Sequence, residues 1–335
     1  MRNDYYILAT EKTIIDRFHI CTWELPSDSS CIEFGLEFSP ETFKDNKNTI
    51  GFYLAIPDVR PNDSVTCLLD NLSDSQNGRF IFNDIVTGMD NIGEDARDGK
   101  IIKFENRDNL TLLPCTIIVE DGIICLKLKK PEKSEGSLYC RILVKYEKRG
   151  IAIKKKGITQ TTYIYDFKIN EKRNLPQQVY ELKNSQSLKI CHIRKLFCLH
   201  AMPDNFNFSF IDTSKLKNIR KLESSAFQRY LPQISGIRKD CYNIMFLKDE
   251  AKDDNDSYSL FTVCTEETIG SKQIALAVGA NILCTLLFAI YSLKLNNPMK
   301  WYLHIPWEYW AATGIVVVLG PVSYTHLRAH ETRSN

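Results

Sequence analysis

The 335-residue chain lacks the short signatures that give an enzyme away. It contains no GxxxxGKS/T, GxGxxG, HExxH, GxSxG or CxxC. Those absences remove a phosphate-cradling loop, a dinucleotide turn, a zinc-hydrolase helix, a nucleophile elbow and a dithiol redox site. Histidine is scarce, with six in all. His326 and His330 fall in an anomalous tail, so a histidine-dependent hydrolase would have only His19, His192, His200 and His304 to draw on. Excess charge of one sign is missing too. Lys and Arg number 43 against 41 Asp and Glu, a net charge of +2. That balance gives no global nucleic-acid footprint, and no nucleic-acid partner is expected. The start of the chain lacks the apolar stretch of an export signal, because only residues 5–9 are apolar before Glu11.

Cysteine is plentiful, eleven in all, an odd number. Most sit in apolar, strand-like runs, such as Cys125 in GIICLKL and Cys140 in SLYCRILV. Free cysteine behaves as a small buried hydrophobe, whereas secreted disulfide scaffolds are shorter and richer in loops. The pattern predicts a reducing compartment.

Residues 274–293, IALAVGANILCTLLFAIYSL, carry no charge. A helix needs about 20 apolar residues to cross ~30 Å of hydrocarbon. A transmembrane helix is expected here, with Lys272 and Lys294 just outside it as headgroup anchors. Residues 294–306 form an expected interfacial loop. Trp301, Tyr302, Trp307, Tyr309 and Trp310 have the amphipathic rings that favour a membrane–water boundary. A second span is expected to begin over 307–320. Lys294 and Lys300 slightly favour the loop as the inner side. Export of a large domain without a signal is the greater obstacle, so the bulk of the chain is expected in the cytoplasm.

Residues 321–335 are polar where a membrane helix should continue. Residues 322–332, VSYTHLRAHET, resemble a translated sequencing adapter. On that reading 321–335 carry no functional weight, and the natural chain continues past Gly320.

Period-two alternation dominates residues 1–170. Ile32, Phe34, Leu36 and Phe38 alternate with Glu33 and Glu37, and Leu138, Cys140, Ile142 and Val144 alternate with Arg141 and Lys145. Alternation of this kind predicts strands with one buried and one wet face. Asp121-Gly122 between TIIVE and IICLKLK predicts a tight hairpin, and Asn77-Gly78 before RFIF predicts another. Residues 171–268 are mixed, an α+β region packed on the first part or continuing it. There Leu216, Ile219, Ala226 and Tyr230 are roughly helix-spaced, with Asp212-Thr213-Ser214 as caps and Pro232 as the stop. The expected class is mainly β: an antiparallel sandwich or barrel, a smaller α+β part, then C-terminal transmembrane helices.

Cys191, His192, Cys198 and His200 form the one metal-like grouping. Adjacent residues on a strand point to opposite faces, and the spacing matches no common zinc motif. Ordinary buried or surface residues are the default there, and no metal or cofactor is expected. Lys148, Arg149, Lys154, Lys155 and Lys156 form one basic stretch, and Lys215, Lys217, Arg220, Lys221 and Arg229 form another. On a domain held near a membrane, such clusters suit anionic lipid or a phosphorylated ligand.

The function expected is a membrane-anchored protein with a cytoplasmic, sensor-like β-rich domain that binds a ligand or partner and carries no catalytic motif. Its expected partners are the lipid bilayer, an unidentified ligand or protein, and a second copy through the membrane helices. The alternatives are an exported adhesion module, or an enzyme whose catalytic part lies beyond Gly320.

Overall fold

A computed structural model describes residues 4–25, 30–43, 48–57, 59–60, 63–82, 84–146, 150–157, 160–222, 224–234, 242–251, 253, 257–267, 271–296 and 310. The chain opens with β1 (Asp4–Ala9), β2 (Ile14–Glu24), β3 (Ser30–Phe38), β4 (Thr49–Ala55) and β5 (Ser64–Cys67), then α1 (Leu69–Leu72) and α2 (Ser75–Phe82). Next come β6 (Val86–Asn91), β7 (Lys100–Phe104), β8 (Leu110–Leu112), β9 (Thr116–Glu120) and β10 (Ile123–Lys129). β11 (Ser137–Lys145), β12 (Ile153–Lys156), β13 (Gln160–Ile169) and α3 (Gln177–Ser185) follow. The last part holds β14 (Lys189–Ile190), β15 (His192–Pro203), β16 (Phe206–Ile211), β17 (Leu216–Leu222) and α4 (Ser224–Tyr230). β18 (Tyr242–Glu250), β19 (Tyr258–Glu267) and α5 (Ser271–Asn296) complete it.

The strands form two sheets in a sandwich-like arrangement. One has nine strands, ordered β16-β19-β13-β1-β4-β10-β9, with β12 on β13 and β14 on β1. The other has ten, ordered β17-β18-β15-β2-β3-β11-β8-β7-β6, with β5 on β11. Strands from beyond residue 170 enter both sheets. The alternation seen in the sequence decides what lies between them. Ile32, Phe34, Leu36 and Phe38 of β3 face Ile50, Phe52 and Leu54 of β4 and Ile124, Leu126 and Leu128 of β10 in one apolar core. Phe38 and Phe52 meet across it with ring centroids 5.1 Å apart.

Both sheets are mixed rather than antiparallel. β1 runs parallel to β13, β2 to β15 and β8 to β11. Parallel neighbours need long crossovers, and the β2–β15 pair joins segments far apart in the chain. Part of the outer face of the ten-stranded sheet is covered rather than wet, as alternation alone would have it. Leu69 and Leu72 of α1, Phe82 of α2, and Phe227 and Tyr230 of α4 cover it in a second cluster with Trp23, Tyr139 and Leu143. Every residue of β3 is therefore buried, Glu33 and Glu37 included. On the other sheet Val179 of α3 packs with Tyr6, Leu8 and Leu188.

The Asp121-Gly122 hairpin forms as expected, with φ of 49° and 74° and Glu120 paired to Ile123. Positive φ at both residues suits a two-residue turn of the mirror-image type. Asn77-Gly78, by contrast, lies inside α2. The Asp74 carboxylate accepts from the backbone N–H groups of Gln76 and Asn77 at 2.8 and 3.1 Å, a cap that starts a helix. The helix expected from Leu216 is also corrected: 216–222 is strand β17, and only 224–230 is helical. A bulge between Leu216 and Asn218 produces the three-residue apolar step that imitated a helical turn.

The chain divides into two units, residues 1–155 with 162–266, and residues 156–161 with 267–335. The second contains α5. Among the described residues no helix is long and apolar enough to cross a membrane, so the expected C-terminal membrane helices are not supported. The expected second span, 307–320, lies outside the described residues apart from Trp310.

Candidate functional site

Alternation sends Arg17, His19, Cys21 and Trp23 of β2 to the outer face of the ten-stranded sheet, opposite the core residues Phe18 and Ile20. Phe197 and Leu199 of β15, Ile244 and Phe246 of β18, and Arg141 of β11 share that face. The β17 bulge resets its register, so Asn218, Arg220 and Leu222 join them. Together with Arg79, Ile81 and Phe82 of α2 and Arg107 from the β7–β8 loop, these side chains line a cavity of about 430 Å³. Five arginines face one cavity: Arg17, Arg79, Arg107, Arg141 and Arg220.

Two buried glutamates on β3 answer part of that charge. Arg141 Nε donates to Glu33 Oε2 at 2.5 Å, Tyr230 donates to the same oxygen at 2.7 Å, and Trp23 Nε1 donates to Glu33 Oε1 at 2.5 Å. A buried carboxylate is tolerated only with such a full set of donors. Burial works against the Arg141 charge, and Glu33, Tyr139, Tyr230 and Cys21 together more than restore it. Glu37 lies 3.4 Å from Arg107 and 3.7 Å from Arg17. Burial pushes the Glu37 carboxyl up, while Arg17 and Arg107 pull it back. Arg107 stacks over the Phe104 ring at 4.9 Å, and its Nε is buried without a hydrogen-bond partner. Arg79 donates to the Val86 carbonyl at 3.2 Å. Among the described residues neither Arg79 nor Arg220 has an acidic partner.

His19 sits in the middle of this wall. Burial, then Arg141, Arg17 and Arg107, hold its imidazole well below the usual range. It is neutral near pH 7. Arg141 Nη1 donates to the Tyr139 hydroxyl at 3.1 Å, and that hydroxyl lies 2.9 Å from His19 Nδ1. An arginine only donates, so the hydroxyl accepts from Arg141 and gives its proton to Nδ1, which leaves the ring proton on Nε2. Gly35, paired with both His19 and Arg141, makes room for this. A Cβ there would stand 2.8 Å from Tyr139 Cζ and 3.2 Å from His19 Cβ.

The arrangement can bind. Arginine offers a rigid fork of donors that matches phosphate and carboxylate, and the aromatic walls supply apolar contact. Burial raises the Cys21 thiol on the same wall well above its usual range.

The grouping flagged as metal-like does not assemble. Cys198 Sγ and His200 Nε2 approach to 3.5 Å in the core, and Thr22 Oγ1 lies 2.7 Å from His200 Nδ1. Cys191 is buried apart from them, with its N–H on the Ile7 carbonyl, and His192 begins β15 beside Ile14. No group of three or more potential ligands occurs among the described residues. Lys154 lies 3.0 Å from the buried Glu24 and 4.9 Å over the Tyr163 ring. Lys155 and Lys156 are exposed, and Lys148 and Arg149 lie outside the described residues. In the second basic stretch Lys215 pairs with Asp249 at 2.9 Å and Lys221 with Asp204 at 3.2 Å, while Lys217 and Arg229 are exposed. Only Arg220 of that stretch reaches the cavity. Of the expected membrane-interface residues, Trp310 is exposed and Lys272 and Lys294 fall within α5. Trp301, Tyr302, Trp307 and Tyr309 lie outside the described residues. Arg17, Arg79, Arg107 and Arg141 were not singled out by sequence, because each stands alone in its segment.

No family model and no curated protein matches the chain. Among structures, the chain resembles a homology model of the full-length AP-3 complex in a stretched open conformation, at 9% identity and a TM-score of 0.20. The match covers 80% of this chain and 53% of that one, so the chain spans about half the length of its neighbour. An intermediate open conformation of the same complex gives 8% identity and a TM-score of 0.18.

Proposed function

We propose that this chain is a binding protein whose β-sandwich takes a small anionic ligand in the arginine cavity and whose C-terminal helix holds it at a membrane. The observation that carries the ligand half is the charge imbalance of the cavity. Five arginines line it, and the carboxylates beside them are Glu33 and Glu37. A cavity of about 430 Å³ falls within the size range of small-molecule sites.

The anchor half rests on sequence and exposure. Residues 274–293 are uncharged, and α5 runs 26 residues. None of its described side chains is buried, with Leu283, Leu287 and Phe288 at 56%, 59% and 75% exposure. Water tolerates such a continuous apolar surface poorly, and lipid or a second copy of the helix would cover it. Buried, unpaired cysteines such as Cys31, Cys140 and Cys198 suit a cytoplasmic placement of the sandwich. Protease shaving of intact cells should leave the sandwich uncut, and its cleavage would overturn that placement.

The ligand half is tested on the full chain in detergent by thermal unfolding with increasing pyrophosphate. A ligand that binds only the folded state raises stability by RT ln(1 + [L]/Kd). A rising midpoint is expected. A flat one at all concentrations would overturn the reading, as would turnover of nucleotide or peptide substrates by the purified chain.

A further inference from the structure

We propose that the ligand of the arginine cavity is an aromatic phosphate of the nucleotide class, with its phosphate among the arginines and its ring on a platform made by Phe197 and Phe246. This deepens the anion-binding reading and rests on it.

The cavity has two unlike sides. On one, Arg17, Arg107 and Arg141 surround His19, and the buried Arg107 Nε has no partner of its own. That side suits an oxyanion, because the guanidinium fork pairs with phosphate oxygens two at a time. On the other, Phe197 of β15 and Phe246 of β18 lie 5.8 Å apart with only 4° between their ring planes. Both rings are half-buried on the cavity wall, with the His19 ring 5.2 Å from Phe197 and Lys248 Nζ 5.9 Å over the same ring. The volume of about 430 Å³ greatly exceeds the needs of a bare phosphate ion. A sugar phosphate would fill more of it but would leave the platform unused.

A nucleobase fits what remains. Every base has a π-face, and stacking on an aromatic side chain strengthens binding whichever base it is. Asn218 pairs directly with Phe246 across β17 and β18, so a side chain with both an amide donor and an amide acceptor stands at the platform's rim. Such a group can hydrogen-bond the edge of a stacked ring. Arg220 lines the same cavity without an acidic partner among the described residues, and its guanidinium fork is free to pair with a phosphate.

The test is isothermal titration of the full chain in detergent with four probes: adenosine 5′-monophosphate, cytidine 5′-monophosphate, ribose 5-phosphate and pyrophosphate. At least one nucleotide is expected to bind about tenfold or more tighter than ribose 5-phosphate, the share assigned to the ring. Phe197→Leu and Phe246→Leu should each remove most of that advantage and leave pyrophosphate affinity unchanged. The wild-type ranking needs no variant, so it stands even if a substitution unfolds the chain. Equal affinities for nucleotides and ribose 5-phosphate would overturn the aromatic half and leave the anion site in place. Absence of binding by all four would overturn both this inference and the anion-binding reading beneath it.

Discussion

The Arg141 guanidinium meets the Glu33 carboxylate at 2.5 Å with 3% and 0% of the two side chains exposed. Removing one partner from such a pair strands a charge in a dry site, which costs about 3–5 kcal/mol. Arg141→Met should therefore destabilise the full chain by that order. Adding Glu33→Gln to Arg141→Met should recover a large part of the loss, since neither position of the pair then carries a charge. Urea unfolding of the two singles and the double closes the cycle. Strictly additive losses would contradict the pairing.

Gly35 is small because Tyr139 and His19 lean over it. Gly35→Ala would put a methyl 2.8 Å from Tyr139 Cζ. The expected cost is ~1–3 kcal/mol of overpacking, with weaker anion binding as the hydroxyl that orients His19 is displaced. Denaturant midpoints and pyrophosphate titrations check the two effects separately. A variant as stable as the parent would show that the contact is relieved cheaply.

His200 gives a pH prediction. Burial lowers its imidazole from 6.5 to about 3. The unfolded chain then binds the proton first, so stability present above pH 6.5 is lost as pH falls toward 3. The loss contributed by this one group is about 1.4 kcal/mol per pH unit between those limits. His200→Gln keeps a hydrogen-bonding partner for Thr22 and should flatten that part of the slope between pH 7 and 5. Comparing variant with parent cancels the other titrations. Parallel slopes for the two would contradict a neutral, buried His200.

Much of the sandwich can be read from period-two alternation. Ile32, Phe34, Leu36 and Phe38 reach the core as their spacing requires, and Asp121-Gly122 makes its turn. Alternation says which side of a strand is apolar, but not what covers the opposite side. Glu33 and Glu37 therefore read as solvent-facing, while in the fold α1, α2 and α4 close over their face. The parallel pairs β2–β15 and β1–β13 join segments too distant for local pattern to register. The same distance hides the cavity. Its arginines come from β2, α2, the β7–β8 loop, β11 and β17, and none has a basic neighbourhood of its own except Arg220. Leu216 and Ile219 imitate a helix because a bulged strand shifts its apolar positions by one.

The exposed apolar surface of α5 predicts membrane association. The full chain should sediment with membranes and resist alkaline extraction. Leu283→Arg and Leu287→Arg together place charge at the centre of the apolar run, at ~2.5–3.5 kcal/mol each by insertion scales. They should release the chain to the soluble fraction. Retention on membranes at wild-type levels would contradict anchoring by this segment.

The central claim is that the arginine cavity holds an anion, and Arg220 tests it most directly. Its side chain is exposed and has no acidic partner among the described residues, so Arg220→Gln should leave the unfolding midpoint unchanged. A lost charge-assisted hydrogen bond contributes ~1.5–3 kcal/mol. Titration of pyrophosphate into wild type and Arg220→Gln should therefore show affinity weakened about tenfold or more. Equal affinity in the two proteins would place any anion somewhere other than this cavity.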